Sequence, residues 1–549
     1  MTIIGSEVVA RALRQQGVDT FFYIMGGPMM HVELGCMANG LRGIDVRHEQ
    51  AGAMAAFAYA RLLNRPGVCM AASGPATTNL VTGVAHAWAD CTPVIAFGGA
   101  SPDASKGRGA FQEIDQLPMF EPCTKWSTRV HSAKRIPELV NRAVREAMGG
   151  KPGPVYIDLP GDILYDEVDE NKLDWPEPWD PSKRSRPAGD PAQIKQVIEL
   201  LKKAKQPVII SGTGIMWSDA AAELKAFVEA AGIPFYTTPQ SRGVIPEDHE
   251  FCYLTARSTA FRDADLIMVI GTRMNYIIGH AAPPRFNANA KIVRIDIDPD
   301  EIAGSPRKLD VGVIGDAKTV LTQLTSGIKG SVTPDSYSGW RERLRGRNSS
   351  KTAEQEEILS NPKTPVHPLR LCKEIRDFMD RDGILCVDGQ EILNFGRQAI
   401  PTFTAGHRIN SGCFGTMGVG LPFGVGAKVA KPDKQVVVLH GDGSFGLNAM
   451  ELDTLVRHKL PVLVVISLNG GWTADPKKEK PGRDLGYTRF DKMAEALGCY
   501  GEFVENPDDI AEALRRGQAA VSKGQPALIN VKTDHTARAT TTAFSNYST

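Results

Sequence analysis

The stretch Gly441-Asp442-Gly443-Ser444 decides the fold of this chain, because it is a glycine loop with a carboxylate between a strand and a helix. A β-branched run from Val436 to Val438 precedes the loop and predicts a buried strand. Asn448, with Glu451 three residues later, matches a capping box and predicts the start of a helix. Strand, glycine loop and helix in this order indicate a parallel sheet covered by helices.

A second glycine turn, Asn469-Gly470-Gly471, follows the next predicted strand, Leu463 to Ile466. Asp442 and Asn469 are 27 positions apart (469 − 442), so two adjacent parallel strands would bring both side chains to one point. With the carbonyl of Gly471, they form an oxygen donor set that suits a divalent cation beside a diphosphate. Backbone N–H groups of the first loop would bind the phosphate oxygens. The alternative is a tight strand–helix turn and an unrelated Asn-Gly-Gly turn.

Composition excludes several classes of protein. Lys plus Arg equals Asp plus Glu at 63 each, so no net charge attracts nucleic acid or an anionic membrane. No run approaches about 18 apolar residues, and the N-terminus lacks the basic segment of a signal peptide. The nine cysteines form no CxxC pair, which predicts buried thiols and neither a zinc site nor disulfides. We therefore expect a cytoplasmic protein.

Two polar stretches with several prolines, 166–191 and about 331–368, are predicted linkers. Elsewhere short apolar runs alternate with helical patterns, which is typical of parallel sheets with helices on both faces. We predict three doubly wound α/β domains, at 1–180, 190–335 and 365–549. Similar intervals from Asn79 to Pro93 and from Asn448 to Pro461 suggest that the first and third domains are duplicates.

The two glycine turns resemble the diphosphate–metal motif of thiamine-diphosphate enzymes, and further segments match that family in order. His48-Glu49-Gln50 resembles the glutamate-bearing segment of its first domain, and Ser73-Gly74-Pro75-Ala76 resembles a loop that usually has glycine at the last position. Gly415-Thr416-Met417-Gly418 resembles the segment beside the thiazolium ring. The resemblance implies the pyruvate-oxidase-like architecture of pyrimidine-binding, central and diphosphate-binding domains.

The resemblance also implies the site residues. Those expected to bind the cofactor are Glu49, Asn79, Gly389, Gln390, Gly415, Met417, Gly441, Asp442, Gly443, Ser444, Asn469 and Gly471. Mg²⁺ would be held by Asp442, Asn469 and Gly471. Glu49 would hydrogen-bond to the aminopyrimidine ring and so assist loss of the thiazolium proton, unless it is only an exposed strand-end glutamate. Met417 would lie between the two rings, unless it is an ordinary core methionine.

In this family the pyrimidine and diphosphate ends of the cofactor bind to different subunits, so the resemblance implies a homodimer or a homotetramer. Arg273, Asp296 and Asp316 resemble nucleotide-contacting positions of the central domain. The expected ligand there is ADP, with FAD and a purely structural domain as the alternatives.

The choice of substrate depends on fewer residues. The segments around Ser411, Gly441 and Trp472 are most similar to actinobacterial-type 2-hydroxyacyl-CoA lyases, which cleave substrates such as 2-hydroxyisobutyryl-CoA into a ketone or aldehyde and formyl-CoA. The resemblance implies Gln112 as a further catalytic residue, unless it is an ordinary loop glutamine. Candidate substrate residues are Phe111, Trp472, Asp475, Arg408 and Arg538.

The alternatives for these positions and for the function remain open. Asp475 is an acid/base carboxylate or a solvated loop residue. The tail after Arg538 is a lid over the CoA arm or a frayed terminus. An oxalyl-CoA decarboxylase, an acetolactate-synthase-type carboligase and a catalytically silent homologue are the rival functions.

Overall fold

The computed structural model of the protein describes residues 1–475, 477 and 479–539. In this part of the chain, three sheets are entirely parallel and covered by helices, and one antiparallel pair of strands lies apart from them. The predicted fold class, three parallel-sheet domains of the α/β type, is therefore confirmed.

The first domain contains a six-stranded sheet of order β3-β2-β4-β5-β7-β6, while β1 pairs with β8. Its strands are β1 Thr2–Ile4, β2 Thr20–Tyr23, β3 Arg42–Asp45, β4 Gly67–Ala71, β5 Val94–Ala100, β6 Trp126–Arg129, β7 Val155–Pro160 and β8 Glu167–Asp169. Its helices are α1 Gly5–Gln15, α2 Met30–Ala38, α3 Glu49–Leu63, α4 Pro75–Ala89, α5 Leu117–Phe120, α6 Ile136–Met148 and α7 Gly161–Tyr165.

The central domain contains a five-stranded sheet of order β10-β9-β11-β12-β13. Its strands are β9 Pro207–Ser211, β10 Phe235–Thr237, β11 Leu266–Ile270, β12 Lys291–Asp296 and β13 Val311–Ile314. Its helices are α8 Pro191–Lys203, α9 Gly214–Trp217, α10 Ala221–Ala231, α11 Arg257–Asp263, α12 Pro299–Ala303, α13 Ala317–Gly327 and α14 Ser338–Leu359.

The third domain contains a six-stranded sheet of order β15-β14-β16-β17-β19-β18. Its strands are β14 Ile384–Asp388, β15 Arg408–Asn410, β16 Val436–Gly441, β17 Leu463–Leu468, β18 Tyr500–Val504 and β19 Ala527–Lys532. Its helices are α15 Pro368–Phe378, α16 Glu391–Ala399, α17 Gly420–Ala430, α18 Asp442–Leu447, α19 Glu451–Arg457, α20 Phe490–Ala496 and α21 Ile510–Ser522.

The first and third domains share one hydrophobic core, formed where α3 packs on α17. Small residues allow the close approach, since a Cβ atom at Gly426 would lie only 2.1 Å from the carbonyl oxygen of Ala55. The rings of Phe57 and Phe423 stack across the contact with centroids 5.1 Å apart. The strand–loop–helix unit around Asp442 is therefore held directly against the helix that begins with Glu49.

One predicted linker was wrong. The second stretch contains α14, a helix of 22 residues. Its sequence is polar on almost every face, and the buried Trp340 and Leu344 attach it to the core of the central domain. Hydrogen bonds from Thr255 to Asn348 hold its middle part. Tertiary contacts thus stabilise a helix whose own pattern is weakly amphipathic.

The predicted capping box was also wrong. The first helix after the strand begins at Asp442, and α19 begins at Glu451 without a side-chain cap. The Asn448 amide instead donates to the carbonyl of Gly418 at 2.7 Å, while Oε1 of Glu451 accepts from the backbone N–H of Arg47 at 3.0 Å. Both side chains therefore connect segments that are distant in sequence.

The expectations about cysteines and membrane spans were tested as well. All nine cysteines are free thiols, six of them buried and three partly buried. None of the helices in the described residues has both the length and the apolar character needed to cross a membrane.

Candidate active site

The candidate cofactor site lies at the carboxyl ends of β14 and β16. These strands are adjacent in the sheet, yet the chain leaves β14 toward β15 on one side and β16 toward β17 on the other. Such a reversal opens a crevice in doubly wound sheets and is where their ligands bind. The loops after the two strands approach closely, since a Cβ at Gly389 would lie 3.1 Å from the backbone nitrogen of Gly441. The crevice is thus bounded by the loops that begin at Gly389 and at Asp442.

Asp442 has a carboxylate that is only partly satisfied. Its side chain is buried, Oδ1 accepts from the N–H of Gly443 at 3.0 Å, and Oδ2 has no hydrogen-bond partner among the described residues. Burial raises the pKa of Asp442 to about 6, although the nearby N–H groups of Gly443, Gly470 and Gly471 oppose the rise. Because a buried carboxylate without a partner is costly, this oxygen fits the role of a cation ligand.

The second glycine turn lies beside Asp442, as the spacing predicted. Strands β16 and β17 are paired in parallel, with Gly441 opposite Ser467. Asn469 therefore emerges next to Asp442, and its Oδ1 accepts from the N–H of Gly471 at 3.3 Å. The three expected metal ligands thus come together as one carboxylate, one amide and one carbonyl, a donor set that fits Mg²⁺. No cluster of three His, Cys, Asp or Glu side chains suited to a metal occurs in the described residues.

A cavity of about 690 Å³ opens over these turns. Sequence-predicted residues that line it are Gly389, Gln390, Met417, Gly441, Asp442, Gly443, Ser444, Asn469, Gly471 and Trp472. Residues that sequence reasoning missed are Pro368, Glu391, Ile392, Ser467, Thr473, Asp534 and Ala537. The indole of Trp472 lies against Gly443, where a Cβ would be 2.7 Å from the ring. Gly415 is exposed and is not part of the lining.

Glu49 and Asn79 form a separate pair. Glu49 is the first residue of α3, whose N-terminus is capped by His48, and its carboxylate accepts from the Asn79 amide at 2.9 Å. The Glu49 side chain is 12 % exposed, so the carboxylate remains accessible to a ligand. Neither residue lines the cavity over Asp442. Glu49, the proposed activating acid, and the proposed diphosphate site over Asp442 therefore lie at two separate places on one chain.

Gln112 lies at the carboxyl ends of the first-domain strands. It has a left-handed backbone with φ of 55°, and its Oε1 accepts from the Ser73 hydroxyl at 2.7 Å. A buried network supports this loop, since Gln116 accepts from the N–H of Gly74 at 2.7 Å and donates to Asp158 at 2.6 Å. Phe111, beside it, is 85 % exposed. Sequence reasoning missed Gln116, because no local pattern links it to Asp158.

The central domain contributes a second cavity, of about 930 Å³, that is lined by residues from all three domains. Arg273, Asp296 and Asp316 all line it. Burial raises the pKa of Asp296 to about 6. Asp316 caps α13 and pairs with Arg186 at 3.2 Å, while the Arg273 guanidinium donates to the carbonyl of Ala89. Of these two aspartates, Asp296 is therefore the one whose carboxylate makes fewer bonds to neighbouring residues.

Two of the predicted substrate residues, Arg408 and Asp475, are unexpectedly buried. Arg408 is 1 % exposed and donates to the carbonyl of Ile400 at 2.9 Å, so we withdraw it as a direct ligand of a CoA phosphate. Asp475 is buried, accepts from the N–H of Lys480 at 2.9 Å and does not line the cavity. Arg538 is exposed. Most of the predicted lid, residues 540–549, lies outside the described residues.

Comparisons with known proteins agree with this arrangement. The N-terminal TPP binding domain of thiamine pyrophosphate enzymes matches residues 3–119, the central domain matches 194–324, and the C-terminal TPP binding domain matches 394–531.

Similarity to individual proteins extends over nearly the whole chain. The chain is 32 % identical to a 2-hydroxyacyl-CoA lyase of Arabidopsis thaliana, over 97 % of this chain and 96 % of that protein. It is 32 % identical to 2-hydroxyacyl-CoA lyase 1 of Homo sapiens, over 96 % and 94 % of the two chains. It is 34 % identical to a probable acetolactate synthase large subunit of Methanocaldococcus jannaschii, over 96 % and 92 %. The chain therefore belongs to the thiamine pyrophosphate enzymes, as a thiamine-diphosphate-dependent carbon–carbon lyase or carboligase.

Proposed function

We propose that the protein is a 2-hydroxyacyl-CoA lyase, which reversibly cleaves a substrate such as 2-hydroxyisobutyryl-CoA into a ketone or aldehyde and formyl-CoA. Relatives with the names of lyases and of acetolactate synthases are similar to the chain to the same degree. The observation that carries the proposal is therefore a structural one, a group of arginines near the cofactor cavity.

These arginines lie where the central and third domains meet. Arg242 donates to the carbonyl of Arg397 at 3.2 Å and to the carbonyl of Ile400 at 3.0 Å, which also accepts from Arg408. Arg257, at the start of α11, is exposed at the surface of the group. We call Arg242, Arg257, Arg285, Arg397 and Arg408 the arginine cluster.

The arginine cluster has only one carboxylate counter-ion among the described residues. Glu247 pairs with Arg242, but the other four have no ion pair with a carboxylate among the described residues. Burial, followed by the charge of Arg257, lowers the pKa of Arg285 to about 10, and burial together with Arg257 and Arg242 lowers the pKa of Arg397 to about 10. Such crowding of like charges favours the binding of a multiply charged anion.

The position of the arginine cluster suits a CoA thioester. Helix α16 begins at Glu391, which lines the cofactor cavity, and Arg397 follows six residues later. The rise of an α-helix places the two residues about 9 Å apart along the axis. The phosphates of CoA would pair with Arg257, Arg285 and Arg397 while the pantetheine arm enters the cavity, since Arg242 and Arg408 are buried. A free 2-keto acid such as pyruvate has no group that would reach them.

The residues of the site would divide the work as follows. Thiamine diphosphate, when bound, supplies a carbon nucleophile and an electron sink. Asp442, Asn469 and Gly471 would hold Mg²⁺ against the diphosphate. The Glu49 carboxyl would hydrogen-bond to the pyrimidine ring. The oxygen of the Gln112 amide is engaged by Ser73, which leaves the amide N–H groups to bind a substrate oxygen.

We also propose that the active unit is a homodimer, with a homotetramer as the larger alternative. Glu49 does not line the cavity over Asp442 in the same chain. A second copy would bring its Glu49 to this cavity, as the family resemblance implies. Sedimentation velocity with and without cofactor tests the assembly, and an active monomer would contradict it.

For the central cavity we propose ADP as the ligand, with FAD as the alternative. Asp296 offers an acceptor for ribose hydroxyl groups, and Lys151, Arg184 and Arg273 provide positive charge for a diphosphate. Calorimetric titration with ADP, FAD and AMP compares the candidates. Binding of FAD in preference to ADP would reverse the assignment, and binding of none would leave the domain structural.

For the tail we propose a lid over the CoA arm. Asp534 and Ala537 line the cofactor cavity, and the N–H of Ala539 donates to the Glu391 carboxylate at 3.0 Å. Residues beyond Arg538 therefore start beside the cavity. Deletion of residues 539–549 should raise the KM for CoA thioesters, and unchanged turnover and affinity would contradict a lid.

A substrate panel tests the proposed reaction. Holoenzyme is incubated separately with 2-hydroxyisobutyryl-CoA, oxalyl-CoA and pyruvate, and products are identified by mass spectrometry. We expect acetone and formyl-CoA from the first substrate. Consumption of oxalyl-CoA alone would indicate a decarboxylase, and acetolactate from pyruvate alone would indicate a carboligase. Failure of every substrate, with cofactor bound, would indicate a silent homologue.

A charge variant tests the role of the arginine cluster. Arg257→Met should raise the KM for the CoA thioester roughly 10-fold, because a charge-assisted hydrogen bond contributes about 1.5 to 3 kcal/mol. Arg262→Met is the matched control, since Arg262 lies on the same helix and pairs with its neighbour Asp263. Equal KM values for the two variants would remove the arginine cluster from the substrate site.

A further inference from the structure

The turn that provides two of the expected metal ligands is held by one buried arginine. Arg483 is 5 % exposed, and its guanidinium donates to the carbonyl oxygens of Asn469, Gly470 and Thr473, each at 3.1 Å. Its Nε donates to Thr473 as well, at 3.2 Å. A single planar side chain therefore satisfies three carbonyl groups of one short segment, a geometry that the guanidinium fork favours.

Main-chain hydrogen bonds fix the same two segments together. The N–H of Trp472 donates to the carbonyl of Arg483 at 2.9 Å, and the N–H of Leu485 donates to the carbonyl of Gly470 at 2.9 Å. Gly471 and Asp484 form an antiparallel bridge between these bonds. A Cβ at Gly471 would lie 2.0 Å from the carbonyl oxygen of Arg483, so only glycine permits this contact.

The remaining carbonyl, that of Gly471, is not used by this pairing. The two bonds on either side of the bridge use the N–H of Trp472 and the carbonyl of Gly470, so the carbonyl of Gly471 takes no part in the pairing with Asp484. Gly471 itself lines the cavity. No described donor is bonded to the Gly471 oxygen. The contacts of Arg483 thus leave free the one carbonyl that the metal site needs.

We propose that Arg483 is a positioning residue that holds the turn after β17 in the metal-binding geometry before the cation arrives. Arg483 does not line the cofactor cavity, and it acts by occupying the carbonyl groups that would otherwise compete with Gly471 for the cation. Groups that orient direct ligands in this way typically change metal affinity 10- to 100-fold. The proposal depends on the family assignment and is independent of the acyl substrate.

Two variants of the full-length protein test the proposal. Arg483→Met removes all the donors, and Arg483→Lys keeps the charge but replaces the planar fork with a single ammonium group. Arg489→Met is the matched control, because Arg489 belongs to the same segment and pairs with Asp491 away from the turn. Far-UV circular dichroism and a thermal melt of the apoprotein establish folding of each variant.

The measured quantities are the dissociation constants of Mg²⁺ and of Ca²⁺, obtained by calorimetric titration of thiamine diphosphate into apoprotein at a series of cation concentrations. We expect Arg483→Met to weaken Mg²⁺ binding about 10- to 100-fold. Arg483→Lys should have a smaller effect in the same direction, and Arg489→Met should stay within about twofold of the parent protein.

The comparison of the two cations separates positioning from general loss of structure. Mg²⁺ requires near-octahedral geometry, whereas Ca²⁺ tolerates irregular ligands, so a loosened turn should weaken Mg²⁺ more than Ca²⁺. Equal weakening of both cations would show a merely structural role and overturn the proposal. Parental Mg²⁺ affinity in Arg483→Lys would also overturn it, and this variant decides the matter if Arg483→Met does not fold.

Discussion

The first and third domains have the same strand order but differ in the crossover after their third strand. In both sheets the order is second, first, third, fourth, sixth and fifth, counted along the chain from β2 and from β14. The shared strand order is consistent with the duplication that the Asn-to-Pro intervals suggest. In the first domain, α4 is one helix of 15 residues, whereas the third domain divides the same crossover into α18 and α19.

The divided crossover has a clear physical cause. Asn448, between the two helices, donates its amide to the carbonyl of Gly418 and accepts from the amide of Gln50 at 3.1 Å. These bonds connect the segment after Asp442 to the segment beside Met417 and to the residue after Glu49. The same topology therefore positions two loops, while the residues in the loops decide their chemistry. A buried network of Gln116 and Asp158 supports Gln112 in one domain, and a carboxylate with an unsatisfied oxygen faces a cavity in the other.

The largest effect is expected from a change in the first domain, which tests whether this domain contributes to catalysis rather than to cofactor binding. Glu49→Ala should lower kcat by roughly 10² to 10⁴, the usual contribution of a positioned acid or base. Binding of thiamine diphosphate should persist, because the diphosphate and the cation would be held by Asp442, Asn469 and Gly471 of the third domain. Steady-state kinetics and calorimetry on one preparation measure both quantities. A fully active Glu49→Ala protein would refute the proposed mechanism.

The complementary change tests the third domain. Asp442→Ala should weaken the binding of Mg²⁺ and thiamine diphosphate more than about 100-fold, because a direct ligand contributes more than the groups that orient it. Equilibrium dialysis with the two ligands measures the loss. If cofactor affinity were retained, the cation would have to be assigned to other residues.

A third change acts on the contact between the two domains. Gly426→Ala should destabilise the protein by roughly 1 to 3 kcal/mol, because the added methyl group meets the carbonyl of Ala55 in a close-packed core. Gly346→Ala on α14 is the control, since no atom lies within 4 Å of its added Cβ. Urea denaturation compares the two, and equal stabilities would mean that α3 and α17 are packed less tightly than described.

The smallest effect concerns the pH dependence of stability. Burial raises the pKa of Glu451 to about 7, so the folded state binds this proton more tightly than the unfolded chain. The resulting stability is complete below the unfolded pKa of about 4.5 and is lost as the pH rises through about 7. Glu451→Gln should therefore gain about 1 kcal/mol relative to the parent protein between pH 6 and pH 7. Thermal melts of both proteins across this range measure the difference. If the stabilities of the two proteins changed in parallel with pH, the assignment would be excluded.

Much of the fold and of the cofactor site could be predicted from the sequence, because the information was local. Apolar runs gave the strands, and the interval between Asp442 and Asn469 gave their adjacency. The failures were side chains with distant partners. Asn448 and Glu451 have the spacing of a cap but bond to Gly418 and Arg47. Arg408 appeared available because nothing in its neighbourhood indicates burial.

Other residues left no signal at all. Arg483 occurs in a polar loop 14 positions after Asn469, and only the folded turn shows what it contacts (483 − 469). Helix α14 has too few apolar residues to be recognised by periodicity, and its anchors Trp340 and Leu344 become evident only against the central core. Contacts between residues that are far apart in the sequence are thus the part of the site that sequence patterns do not predict.

The packing of α3 on α17 also has a consequence during synthesis of the chain. The end of α3 and the start of α17 are 357 residues apart (420 − 63). At about 5 to 20 residues per second, synthesis would leave the apolar face around Phe57 uncovered for roughly 20 to 70 seconds. The nascent first domain would be an aggregation hazard during this interval. Chaperones that bind exposed apolar helices should therefore associate with ribosomes that have completed the first domain, and leave once Phe423 has emerged.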